Sequence, residues 1–242
     1  IVYKDDPRNA DEHLKAAGKP IDYQNRFIAV GNYGSIDDVF NYAQTAINGT
    51  TASQVIPGDL IYIDFNGDGI INSNDKVVVD ELNYPLTTIG FSFGFNWKGL
   101  NFSAMLYSPR NIYKLQFDQY LWDFPASNIR VQPKSMERWT PETANSSGVM
   151  RPATHLNNTY NKVESTYRYS DYSYIRLKNM EIGYTFPKKW LSEAHISNLQ
   201  VYMNGNNLLT FWKGDKRVDP ETGGVGSYPI VRTYTLGLRV SF

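Results

Sequence analysis

Cysteine is absent from the 242 residues, which removes disulfide frameworks, thiol catalysis and zinc–thiolate sites together. Its absence suits a cell envelope, where a free thiol is a liability. Neither charge is in excess, since Lys plus Arg number 24 and Asp plus Glu number 24. A surface that holds a nucleic-acid backbone needs a Lys/Arg excess on at least one face; no block of like charge supplies it, which argues against nucleic acid as a partner. No run of 18 apolar residues is present, hence no transmembrane helix. The uncharged stretch Leu82 to Trp97 is interrupted by Asn83, Thr87, Thr88 and Ser92. The chain opens on Ile with no charged-then-apolar leader, and reads as a processed product or as part of a longer one.

What is abundant is aromatic residues, 14% of the chain and led by 18 tyrosines. Many aromatics in a polar, Gly- and Asn-rich sequence suit strands with one apolar and one polar face. Residues 1–19 have no period and read as loop. Ser35 has the chemistry of a helix N-cap, with Asp38 three positions on. Ile36, Val39, Phe40, Ala43 and Ile47 follow at helical spacing, with Asn48-Gly49 as the stop. Leu60–Ile63 and Lys76–Val79 read as short strands.

The strongest pattern is strict alternation. Ile89, Phe91, Phe93, Phe95 and Trp97 alternate with Gly90, Ser92, Gly94 and Asn96; Lys98-Gly99 turns the chain; Leu100, Phe102, Ala104 and Leu106 resume. A second hairpin carries Met180, Ile182, Tyr184 and Phe186, turns through Pro187–Ser197, and returns with Leu199, Val201 and Met203, a bulge being expected at Asn204-Gly205. The last strand places Tyr234, Leu236, Leu238, Val240 and Phe242 on one face. Arms of about ten residues are long enough to cross a bilayer as tilted strands, and short turns alternating with long connections (110–170, 212–231) match outer-membrane barrel construction.

Alternation alone also fits a soluble β-sandwich. The Gly/Ser/Asn face of 89–97, aromatics near strand ends and the terminal Phe242 turn the balance toward a membrane barrel. The alternative is a secreted β-sandwich with a calcium loop and carbohydrate-binding aromatics. Phe91, Phe93, Leu236 and Leu238 separate the two: they face lipid in one and a protein core in the other. Five or six strands cannot close a membrane barrel, so further strands must pair with these.

Residues 64–75 follow the spacing of a twelve-residue calcium loop, with Asp64, Asn66 and Asp68 at positions 1, 3 and 5, Gly69 at 6, and the Ile70 carbonyl at 7. Position 12 is Asp75, one methylene short of the usual Glu, and the flanks read as strands rather than helices. Structural Ca²⁺ is one expectation and an Asx/Gly-rich turn closed by its own hydrogen bonds is the other. His13, His155 and His195 lie far apart, no nucleophile or phosphate-loop motif occurs, and no carboxylate pair is set for glycosidase work. The reading is not an enzyme. Phe117, Tyr120, Trp122, Phe124 and Trp139 in the long loop suit either ligand contact or packing of the loop on itself, and no ligand residue can be named.

Five segments in order resemble the C-terminal part of SusC/RagA-like TonB-dependent outer-membrane transporters of Bacteroidetes. They are Pro57–Gly69, Arg138–Glu142, Tyr174–Asn179 with Gly183–Lys188, Val201–Leu208, and Arg232–Phe242. The resemblance, over about residues 20–242, implies an all-β chain forming the last strands of a large antiparallel barrel, 22-stranded in the family and filled by an upstream plug. It divides the chain into an extracellular loop with the calcium-like motif (57–82), a hairpin (86–109), a long loop (110–170), a hairpin (172–211), a loop (212–231) and the terminal strand (232–242). Lipid-facing residues are then Ile89, Phe91, Phe93, Phe95, Leu100, Phe102, Met180, Ile182, Tyr184, Leu236, Leu238 and Val240. Tyr234 and Phe242 resemble the terminal pattern read by the barrel-assembly machinery. The implied partners are the remaining strands and plug, a SusD-like surface lipoprotein, the TonB complex acting upstream, and a glycan or oligopeptide cargo.

Overall fold

The computed structural model describes residues 1–5, 12–47, 54–115, 133–144, 148, 151–153, 159–214, 218–222 and 227–242. Two units emerge, Ile1–Leu82 with Lys114–Ser170, and Asn83–Tyr113 with Asp171–Phe242.

The first unit is built from strands too short to make a large sheet. They are β1 (Gln24–Arg26), β2 (Ala29–Asn32), β3 (Gln44–Thr45), β4 (Leu60–Tyr62), β5 (Ile70–Ile71) and β6 (Val77–Val79). They pair as β1–β6 and β2–β4, antiparallel, and β3–β5, parallel. Helix α1 (Ile36–Asn41) begins where the N-cap chemistry places it: the Asp38 amide donates to Ser35 Oγ at 3.2 Å, and the Ser35 amide donates back to Asp38 Oδ2 at 2.8 Å. It does not run to Ile47. Tyr42 is already extended, and the Gln44 and Ala46 amides donate to the Gly69 and Ile71 carbonyls. That pairing buries Ile47 and Ile71 while Ile36 and Phe40 stay exposed, so the helical spacing past Asn41 had no apolar surface to cover. Asn48-Gly49 lies outside the described residues.

Residues 110–170, read as an irregular loop, supply part of this unit's core. Tyr160 and Val163 pack with Phe27, Tyr33, Val39, Leu60, Tyr62 and Ile71. The Tyr62 ring sits 5.2 Å from Tyr160 and 5.4 Å from Phe27. Burial pushes the Tyr62 and Tyr160 hydroxyls well above the ordinary phenol range, so both stay protonated at any ordinary pH. A buried polar staple joins the two distant stretches: Asn161 donates to Asp59 Oδ1 at 2.7 Å and accepts the Leu60 amide at 2.8 Å. Trp139 is buried over Gly58, which takes φ +93.

In the second unit the alternation becomes a sheet. Its strands are β7 (Thr87–Trp97) and β8 (Leu100–Arg110), then β11 (Tyr174–Thr185), β12 (Asn198–Trp212) and β13 (Thr233–Ser241), while β9 (Tyr113–Leu115) and β10 (Tyr169–Asp171) pair with each other in the connection. The order β7-β8-β11-β12-β13 is antiparallel throughout. Lys98 and Gly99 both take positive φ, 48° and 89°, the two-residue turn whose twist matches paired strands. Helix α2 (Lys188–Leu191) occupies the β11–β12 turn.

Register aligns the apolar residues in rows. Phe95, Phe102, Ile182, Met203 and Leu236 form one; Trp97, Leu100, Tyr184, Val201 and Leu238 form the next. The expected bulge is not at Asn204-Gly205, which pairs regularly with Glu181 and Met180. Against β8 it lies at Lys178, the extra residue between Leu177, opposite Leu106, and Asn179, opposite Met105; β12 in turn sets two residues, Asn207 (φ 55°) and Leu208, opposite Lys178. The apolar phase shifts there from Ile175 and Leu177 to Met180 and Ile182, and the extra residue keeps all four on one face. No second sheet covers that face among the described residues: Phe91 is 57% exposed, Phe93 45%, Leu236 77% and Leu238 66%. The sandwich alternative, which required a covered core at these four positions, is not what forms.

At Gly58 a β-carbon would stand 2.5 Å from Ala153 Cβ and 2.6 Å from Trp139 Cε3. Gly58→Ala should therefore destabilise the first unit by more than ~1 kcal/mol, strain at positive φ adding to displacement of the indole. Hydrogen exchange of the Trp139 and Ala153 amides should accelerate in the variant; unchanged protection would refute this account of the contact.

Candidate functional site

The sheet's second face is polar and tied across the strands by side chains. Asn179 donates to Asn206 Oδ1 at 2.6 Å, Asn206 donates to Thr233 Oγ1 at 3.0 Å, and Asn101 donates to Thr185 Oγ1 at 2.9 Å. Arg239 spans three strands, donating to Glu181 Oε1 at 3.2 Å and Gln200 Oε1 at 2.9 Å, with its guanidinium 4.1 Å above the Tyr202 ring. Tyr202 lies flat because Gly237 is opposite: a β-carbon there would stand 2.5 Å from the phenol oxygen. Amides and hydroxyls at strand spacing, with charges paired, give a wettable wall that holds no net charge.

At the end of this face away from the Lys98-Gly99 turn sits an ion cluster that sequence reasoning missed. Arg176 is 1% exposed, donates to both Asp219 oxygens at 2.9 and 2.8 Å, to Glu221 at 2.7 Å, and through Nε to Thr210 Oγ1 at 3.0 Å. Lys178 donates to both Glu221 oxygens at 2.8 Å. Two cations on β11 thus clamp residues 219–221 of the β12–β13 connection. No local motif announces this, since the partners lie 43 and 45 residues apart. Removing a buried cation leaves its carboxylates uncompensated, a cost of about 3–5 kcal/mol. Arg176→Met should release the connection, seen as faster hydrogen exchange at the Glu221 amide, which donates to Asp219 Oδ1 at 2.9 Å. An unchanged rate would show that Pro220 and the turn hold it without the ion pairs.

The calcium-like loop is closed by its own hydrogen bonds. Asp64 accepts the Gly67 and Gly69 amides, each at 2.8 Å, Asn66 accepts Asp68, and Asp68 accepts Ile70. Asp75 is fully buried and accepts the Phe65, Asn66 and Asn72 amides, so the residue at the loop's last position acts as its internal staple. Among the described residues no group of three His, Cys, Asp or Glu is placed to hold a metal. The donors are nonetheless all hard oxygens, and each carboxylate oxygen has a second lone pair. His13 caps the loop, donating to the Asn74 carbonyl at 2.6 Å and stacking on Phe65. His195 occupies a left-handed turn position, and His155 lies outside the described residues. So do Phe117, Tyr120, Trp122 and Phe124, whereas Trp139 is packing rather than ligand surface.

The residues read as lipid-facing share the exposed face described above. Tyr234 (62% exposed) lies on it, and Phe242 (91%) follows the end of β13.

No family model matches the chain. Relatives are similar over most of it: TonB-dependent receptor P26 of Formosa agariphila is 33% identical over 218 residues, 81% of this chain and 20% of the relative. TonB-dependent receptor P3 of the same organism is 28% identical over 77% of this chain and 19% of the relative. TonB-dependent receptor SusC of Bacteroides thetaiotaomicron is 24% identical over 77% and 18%. The chain therefore spans about a fifth of the length of the curated relatives it matches. Structures of the RagAB peptide transporter superpose with a TM-score of 0.64, and of its open-open state with 0.62, each at 20% identity over 91% of this chain and 22% of theirs. Together with the two-faced antiparallel sheet, these likenesses match the chain to a stretch, about a fifth in length, of SusC-like TonB-dependent receptors, proteins of the Bacteroidetes outer membrane.

Proposed function

We propose that the five strands form a sector of the wall of a closed, 22-stranded outer-membrane barrel that imports glycans or oligopeptides, drawing energy from the TonB complex and working with a SusD-like surface lipoprotein. The observation that carries this reading is the register, which assembles Phe91, Phe93, Phe102, Ile182, Leu236 and Leu238 on one exposed face. Among the described residues, strands β7 and β13 each have an unpaired edge in the sheet. An open edge is prohibitive in hydrocarbon, which calls for further strands on both sides and a plug in the lumen they enclose. The polar face then lines the lumen. The Lys98-Gly99 and Pro187–Ser197 turns face the periplasm, and the clamped β12–β13 connection faces outward. Tyr234 and Phe242 serve recognition by the barrel-assembly machinery. The protein acts by binding and translocation rather than catalysis.

Two substitutions on adjacent residues test the reading in the full receptor. Phe93→Arg puts a charge on the lipid face at a cost of about 2–4 kcal/mol near the midplane and should deplete the receptor from the outer membrane. Ser92→Arg points to the lumen and should assemble normally, as judged by fractionation and heat-modifiable mobility. Equal assembly of the two would sink the membrane-wall assignment.

For the 64–75 loop we propose a structural Ca²⁺ held by Asp64, Asn66, Asp68 and the Ile70 carbonyl, with Asp75 fixing the loop. Support comes from the spacing and the all-oxygen donor set. Millimolar Ca²⁺, but not Mg²⁺, should slow proteolysis of residues 57–82 in the wild type and not in Asp64→Asn. Identical digestion with and without Ca²⁺ would leave the loop as a self-closed turn.

A further inference from the structure

Several basic side chains of this fold hold a carboxylate. Arg26 pairs with Glu81, Arg176 with Asp219 and Glu221, Lys178 with Glu221, and Arg239 with Glu181. Three exposed lysines at one end of the sheet differ. Lys98 in the β7–β8 turn and Lys188 and Lys189 on α2 hold no carboxylate among the described residues. The sole acidic residue in the Pro187–Ser197 turn, Glu193, pairs with none of them. The two turns adjoin: the Thr185 amide donates to the Gly99 carbonyl at 2.7 Å, and a β-carbon on Gly99 would stand 3.2 Å from the Tyr184 ring.

These lysines sit on the rim of the exposed apolar face. Trp97 ends that face and is 64% exposed, with Lys98 Nζ 5.1 Å above its ring. From Tyr184, on the same face, an aromatic chain runs to Phe186 at 5.2 Å and on to Trp190 at 6.2 Å, and Trp190 is 67% exposed beside Lys188 and Lys189. Trp and Tyr at the boundary of an apolar band are suited to headgroup depth, their rings amphipathic and their polar atoms wet. Unpaired ammonium groups on that boundary meet the phosphate layer, while their methylene stems lie along the apolar rim.

We propose that Lys98, Lys188 and Lys189, flanked by Trp97 and Trp190, form a binding surface for the headgroups of anionic phospholipid in the leaflet beside the short turns. The proposal rests on the reading that the apolar face meets lipid. It adds a preference for headgroup charge, which burial of apolar side chains alone does not produce. Charge complementarity and continuity with the apolar band select this occupant over a protein partner, for which the three lysines offer no groove.

The test uses the full receptor extracted in detergent, delipidated, and offered phosphatidylglycerol or phosphatidylcholine at equal concentration, with bound lipid counted by native mass spectrometry. The wild type should retain phosphatidylglycerol over phosphatidylcholine. Lys98→Gln/Lys188→Gln/Lys189→Gln should lower phosphatidylglycerol affinity about a hundredfold, in line with the additive contribution of three surface lysines near anionic lipid. The corresponding triple Arg variant should restore it. Equal retention of both lipids by the wild type, or unchanged retention in the Gln variant, overturns the proposal. Failure of the membrane-wall reading is separately visible as wild-type receptor recovered without detergent. Should the triple Gln variant fail to assemble, Lys98→Gln alone supplies the comparison, with a decrease expected and no decrease overturning the proposal.

Discussion

The sheet depends on one constraint: successive side chains of a strand point to opposite faces, and the two faces here differ in chemistry. With an exposed apolar side and an amide-rich side, any slip of one residue would exchange Phe93 for Ser92 and Leu236 for Thr235 along a whole strand. Strands β7, β8 and β13 satisfy the constraint by simple alternation, while β12 carries an irregularity at Asn207-Leu208. Strand β11 does not, because its apolar residues fall at odd positions up to Leu177 and at even positions from Met180. The extra residue at Lys178 reconciles the two halves. It also sets Lys178 near Arg176 on the polar side, where both reach Glu221. The irregularity at Lys178 therefore helps keep the apolar face continuous and creates the cationic pair that holds the β12–β13 connection.

What the sequence revealed follows from the range of the interactions involved. The hairpins were legible because alternation and a Lys-Gly turn are local and repeat over many residues. The Ser35 cap was legible because its partner, Asp38, is three residues away. The bulge was misplaced at Asn204-Gly205 because glycine is the conspicuous local cue, whereas the phase change between Leu177 and Met180 was the informative one. Helix α1 was drawn too long because five apolar residues at helical spacing do not reveal that β3 will pair with β5. The first unit's core was not legible as a unit. Its closing contact, Asp59 to Asn161, joins residues 102 apart, and its tyrosines carry no period.

The candidate sites divide in the same way. Asp64, Asn66 and Asp68 were found from spacing, and the structure adds that Asp75 is buried with three amides on its carboxylate. The residue that departs from the calcium-loop pattern is thus the one doing most to close the turn, and its shorter side chain fits that inward position. Arg176 was not found at all. Its partners flank Pro220 in a distant connection, and charge opposition across 43 residues has no one-dimensional signature.

The electrostatics of the polar face bear on what a lumen lined by it would do. Strands β7 and β12 contain no charged residue, and β13 contributes only Arg239. Arg239 is matched by Glu181, and Arg176 with Lys178 by Asp219 with Glu221. Each cation's field is cancelled within a few ångströms, so at distances beyond the pair the wall presents dipoles rather than monopoles. A wall of this kind neither concentrates nor repels a solute by its charge. It offers Asn, Gln, Ser and Thr groups that exchange hydrogen bonds with a sugar hydroxyl or a peptide amide at little net cost, because water does the same on either side of the exchange. On the proposed reading of this face as a lumen wall, discrimination among cargoes would have to come from elsewhere in the receptor, because dipoles of this kind would bind polar solutes of either sign weakly enough to let them move on.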